Sequence, residues 1–140
     1  MPSDLAKRIL KGDVRAAAQV LTLVENRDPR ARAILKAIYP QTGKAHIIGI
    51  TGAAGTGKSV LIDRMTALLR SCKKKVGILT VDPTSPFSGG ALLGDRIRMR
   101  DHFLDEGVFI RSLATRGGSG GVSAAVRDSV HLLDAAGKEI

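Results

Sequence analysis

The chain has 140 residues, 44% of them hydrophobic and 25% charged, with 16 glycines and a net charge of +9. That make-up is ordinary for a globular protein and excludes a collagenous, mucin-like or wholly disordered chain; the length gives room for one domain rather than two. One cysteine, Cys72, excludes an internal disulfide framework and predicts a reducing compartment, and no apolar run approaches the ~20 residues of a bilayer span, so a cytoplasmic protein without membrane contact is expected.

In chain order, the stretch 4–36 reads as two or three short helices. Leu5, Ile9 and Leu10, then Val14, Ala17, Ala18, Val20, Leu21 and Val24, recur at helical spacing. Asp13 is placed to cap the second helix, and Asp28-Pro29 to open a third. Residues 40–44 (PQTGK) form a turn-rich linker. The division expected from this is a helical segment over 1–44 and a nucleotide-binding domain over 45–140, incomplete at its C-terminus.

From Ala45 the period changes. His46-Ile47-Ile48-Gly49-Ile50-Thr51 is a β-branched run, expected as a strand, that ends in a glycine cluster. Residues 59–71 are again helical, with Val60, Leu61, Met65, Leu68 and Leu69 on one side. Most of the excess positive charge lies in the first 75 residues and is densest at Arg70, Lys73, Lys74 and Lys75. A solvated helix end explains that run, since cations favour the negative end of the helix dipole; no stacking aromatics interleave it, and no nucleic-acid partner is expected. Residues 76–81 form a second apolar strand ending in Asp82, 83–90 a loop, and 95–104 a short charged helix. Val108-Phe109-Ile110 is a third strand, 114–121 a Gly/Ser loop, and 122–136 a last helix stopped by Gly137. Lys138-Glu139-Ile140 reads as the opening of another element. Apolar strands alternating with helices predict an α/β fold whose parallel sheet is covered by helices on both faces.

Gly52-Ala53-Ala54-Gly55-Thr56-Gly57-Lys58-Ser59 fits G-x-x-x-x-G-K-[ST] at every fixed position. The glycines let the backbone curl so that successive N–H groups point at phosphate oxygens, and the helix that follows adds its positive dipole end. Lys58 then reaches the β- and γ-phosphates and the Ser59 hydroxyl takes a place on Mg²⁺. Asp82 closes a strand where a parallel sheet presents its ligands; it reads either as a metal or water-mediated ligand or as a cap on the loop after it. Asp95, in Gly94-Asp95-Arg96, reads equally as a helix cap or as a metal ligand. The three histidines and Cys72 do not fall at zinc-ligand spacing.

The stretch VDPTSPFSGGALLGDRIRM, residues 81–99, resembles the corresponding segment of the MeaB/ArgK (MMAA-like) family of P-loop GTPases, and the resemblance extends from the N-terminal helices to Leu132-Leu133-Asp134-Ala135-Ala136-Gly137. Ala54 stands where that family commonly has Pro, and Ser119 where Leu is frequent; neither removes a phosphate ligand. The resemblance implies a SIMIBI-type P-loop NTPase, homodimeric, using GTP/GDP and Mg²⁺. It implies a chaperone that gates cofactor loading and protects an adenosylcobalamin-dependent mutase such as methylmalonyl-CoA mutase. On the matching positions, Lys58 and Asp95 would be catalytic, residues 52–59 would hold the nucleotide, and Ser59, Asp82 and Asp95 would hold the metal. Family members are about twice this length, adding a second switch, a guanine-reading N-K-x-D motif and a dimerisation segment, so the chain is expected to be an N-terminal half. Two other readings compete: an ATP-dependent P-loop kinase of the arginine/ornithine transport type, and a non-catalytic fragment that only binds partners.

Overall fold

The computed structural model describes residues 2–82, 99–114 and 125–140. Three helices come first: α1 (Pro2–Leu10), α2 (Val14–Glu25) and α3 (Pro29–Ile38). Their boundaries follow from local chemistry. The Asp13 carboxylate accepts the N–H groups of Arg15 and Ala16 at 2.9 and 3.0 Å, and Asp28 accepts that of Arg30 at 2.9 Å with Pro29 at the first helical position. Ile9, Val20, Leu21, Ile34 and Ile38 lie fully buried where the helices meet.

The Arg30 guanidinium beside Asp28, with the Arg30 N–H, lowers the Asp28 carboxyl from 3.8 to about 2. A depressed folded pKa stabilises the fold above the unfolded value, and that contribution is lost as the pH falls through the folded one. Asp28→Asn is therefore expected to flatten the dependence of Tm on pH between about 4 and 2. Thermal melts at stepped pH check this; parallel curves for variant and wild type would count against it.

Strands β1 (Val76–Asp82) and β2 (Val108–Ala114) pair in parallel, in register from Val76 opposite Val108 to Asp82 opposite Ala114. Successive side chains point to opposite faces. Val76, Ile78, Val108 and Ile110 pack with Ile62 and Leu69 of helix α4 (Lys58–Ser71), closed over by the fully buried Met99. Leu79 and Phe109, on the other face, join the core formed by α1–α3 and the last helix, α5 (Val126–Ala135). The expected α/β architecture, a parallel sheet with helices on both faces, is thus observed.

β2 runs four residues past the expected Val108-Phe109-Ile110 because its polar residues find partners. Arg111 donates from Nε to Glu25 of α2 at 3.1 Å and from Nη2 to Glu25 and to Thr22, and the Thr80 hydroxyl donates to Ser112 at 2.8 Å. Gly137, at φ 87°, ends α5, and the Lys138 N–H returns to the Leu133 carbonyl at 3.0 Å.

Two expectations need correction. Residues 46–51 form no strand. The His46 N–H donates to the Glu139 carbonyl at 2.8 Å, but no backbone ladder continues along 47–51 among the described residues. Between this segment and β1 lies a cavity of about 340 Å³, lined by residues 45–50 on one side and by Val76, Ile78 and Val81 on the other. Residues 138–140 sit between the two at one end: Glu139 and Ile140 donate to the Lys75 carbonyl, and Gly77 donates to that of Ile140. A β-branched run without a ladder partner stays extended but is not a strand.

The second correction concerns the charged helix over 95–104. Its described part is a single 3-10 turn, Arg100–His102. Met99 is drawn into the sheet core while Leu104 is 96% exposed, so no continuous apolar face exists to hold a longer helix. Asp105 instead takes the Arg70 guanidinium in a two-pronged ion pair at 2.8 and 2.9 Å, pinning this segment to α4. Residues 83–98 and 115–124, which include the two expected loops, Asp95 and Ser119, lie outside the described residues.

Candidate functional site

The loop 52–59 leads directly into α4, whose first helical residue is Lys58. Gly55 and Gly57 have φ of 75° and 88°, and a Cβ added at either would meet nothing within 4 Å. Glycine is needed there for backbone conformation, not for space. The Thr56 hydroxyl donates to the Ala53 carbonyl at 2.8 Å and closes the curl. The Lys58 ammonium donates to the carbonyls of Gly52 and Ala53 at 2.8 and 2.7 Å, so its charge sits over the loop itself. Residues 51–57 are exposed and Lys58 and Ser59 half-buried, which leaves the loop's outer face open to a large anion. No acidic residue occupies the first turn of α4. The positive end of its dipole and the Lys58 charge therefore act together on whatever lies at the loop.

The carboxylates assigned from sequence are placed less completely. Asp82 ends β1, its backbone opposite Ala114. Asp95 lies outside the described residues. A Mg²⁺ ion would take the Ser59 hydroxyl with the carboxylates of Asp82 and Asp95. Hydroxyl and carboxylate oxygens are the hard donors this ion prefers, so the set fits it chemically. Among the described residues no three His, Cys, Asp or Glu side chains gather to hold a metal ion. No helix among the described residues is long and apolar enough to cross a membrane.

Around α4 the structure brings together residues that sequence reasoning passed over. His102, 8% exposed, sets Nε2 at 3.1 Å from the Asp63 carboxylate, and Arg70 joins Asp105 one turn and a half further along the helix. The Arg70 partner holds the Asp105 carboxyl below its usual range, with help from the Gly107 N–H. On the other side of the sheet, Asp134 of α5 is 7% exposed and accepts from the N–H groups of residues 43–45, just before the segment that leads to the loop. These partners lie 35 to 91 residues apart in sequence, beyond the reach of any local spacing rule.

The loop geometry has a counterpart in known proteins. The family model described as "Methylmalonyl Co-A mutase-associated GTPase MeaB" matches residues 17–140. The chain belongs to the MeaB GTPase family. A MeaB-family relative in Pyrococcus horikoshii is 56% identical over 137 residues, covering 98% of this chain and 43% of its own length. The Escherichia coli GTPase ArgK is 39% identical over 142 residues, covering 99% of this chain and again 43% of its own. Among solved structures, that of "LAO/AO transport system kinase" superposes with a TM-score of 0.73 at 30% identity, over 99% of this chain and 40% of that one. The chain thus spans less than half the length of the MeaB relatives it matches.

Proposed function

We propose that this chain carries the phosphate-binding part of a MeaB-type GTPase, with GTP or GDP seated on the loop 52–59. The observation that carries the reading is the loop itself: it opens α4 with two glycines at positive φ and a lysine curled over its carbonyls, in a chain of a GTPase family. Backbone N–H groups from Gly52, Ala53, Ala54, Gly55, Thr56 and Gly57 face the phosphates, Lys58 bridges the β- and γ-groups, and Ser59, Asp82 and Asp95 hold Mg²⁺. When bound, Mg²⁺ neutralises charge on the β- and γ-oxygens. The protein groups orient the phosphates and oppose the charge that develops, and such positioning is most of what phosphoryl transfer requires.

In this reading residues 1–44 are a helical segment and 45–140 the nucleotide-binding domain, and the partner is an adenosylcobalamin-dependent mutase of the methylmalonyl-CoA type. The description of the matched family supports that partner. A homodimer in the cytoplasm is the expected setting.

Titrations with GTP and ATP, and phosphate release from each in the presence of the mutase, test the proposal. Saturable, Mg²⁺-dependent binding that favours GTP supports it. ATP preference with transfer to an acceptor would favour the kinase named by the structural neighbour. The metal assignment has its own test. Asp95→Ala is expected to abolish the Mg²⁺ dependence of binding while leaving Mg²⁺-free GDP binding unchanged. If Asp95 only caps a helix, the variant loses about 0.5–2 kcal/mol of stability and keeps its metal response.

A further inference from the structure

Asp134 is the most deeply buried carboxylate among the described residues, and nothing in the phosphate chemistry uses it. Its two oxygens accept from three successive backbone N–H groups: Gly43 to Oδ2, Ala45 to Oδ1 at 3.1 Å, and Lys44 between them at 3.3 and 3.4 Å. The next residue, His46, donates to the Glu139 carbonyl at 2.8 Å. Glu139 is itself fixed, its carboxylate accepting from the Lys75 N–H at 2.9 Å and the Lys74 ammonium at 3.0 Å. One turn before Asp134 on α5, the His131 ring packs edge-on against Tyr39, 5.4 Å between centroids, at the turn that opens the linker. Four consecutive N–H groups, on residues 43–46, are thus tied to the end of α5 and the residues after it. Residues 47–51, which lead into the phosphate loop, have no such ladder among the described residues.

We infer that Asp134 is a positioning residue for nucleotide binding: it anchors the entry of the segment 46–51 and so fixes where the loop 52–59 stands against the sheet. The inference rests on the proposal that this loop binds nucleotide. A carboxylate suits the role because it only accepts, and three donors converge on it. An amide of the same shape offers one accepting oxygen and turns an NH₂ group toward at least one of those donors. A buried N–H left facing another donor is costly, so the linker detaches rather than remain. The loop then samples positions in which Lys58 and the amides no longer converge, and the fraction of molecules ready to bind falls.

The test compares Asp134→Asn with Val20→Ala, which hollows the N-terminal helical core far from the linker. Asp134→Asn is expected to bind a fluorescent GDP analogue at least about tenfold more weakly, the effect of losing roughly one hydrogen bond to a charged group. Its amides at 43–46 should exchange with solvent deuterium faster while those of α5 stay protected. Val20→Ala should lose stability but bind as wild type does. The inference is overturned if Asp134→Asn binds like wild type, if both variants lose affinity in step with their Tm, or if exchange at 43–46 is unchanged. Should Asp134→Asn fail to fold, Ala45→Pro deletes one donor without touching α5 and is read by the same two measurements. A wild-type chain that binds no GDP analogue refutes the nucleotide reading, and the exchange at 43–46 then decides the anchor by itself.

Discussion

Lys58→Ala is expected to weaken binding of a GDP or GTP analogue about ten- to a hundredfold. A hydrogen bond to a charged group is worth about 1.5–3 kcal/mol, and that span converts to this range of affinity. The ammonium's partners in the structure are the exposed loop carbonyls of Gly52 and Ala53, which water can satisfy once the side chain is gone. The variant should therefore fold and melt as wild type does, so that the lost affinity reports the phosphate contact and not the fold. Fluorescence titration with Mg²⁺ present measures it, and equal affinities would remove the loop from the account.

Leu21→Ala is expected to cost about 2–5 kcal/mol, the range for truncating a fully buried leucine. A fall in Tm of roughly 10 °C follows for a chain of this size. Leu21 is 0% exposed on α2, in a core that runs without a break from Ile9 and Ile34 to Phe109 of β2 and Leu132 of α5. Arg111 and Glu25 tie the same helix to the sheet. The helices and the sheet should consequently unfold together in one lowered transition. Calorimetry decides: a second transition left at the wild-type temperature would mean that 1–44 and 45–140 melt separately.

Local chemistry made much of this fold legible from sequence. Asp13 and Asp28 cap α2 and α3 as their positions predict, because a cap needs only a side-chain oxygen and the two or three residues after it. The loop was legible for the same reason: its glycines and Lys58 act within eight residues. Segment 46–51 was misjudged because its β-branched pattern reports a tendency to extend, while a strand exists only where a neighbouring backbone supplies the ladder. The polar anchors were hidden by distance. Asp134 reads as one more charge in a helix until the fold brings Gly43, Lys44 and Ala45 to it, and Arg111 reads as the end of a strand until Glu25 meets it across the core.

The measurement that bears most directly on the central assignment is an NMR titration of the 140-residue chain with GDP and Mg²⁺, followed at the backbone amides. If the loop 52–59 cradles the phosphates, the largest saturable shifts fall on Ala53, Ala54, Gly55, Thr56, Gly57, Lys58 and Ser59, since these N–H groups change partner directly, and inorganic pyrophosphate moves the same set. Saturable shifts centred elsewhere, or none at the loop at saturating nucleotide, would contradict the assignment.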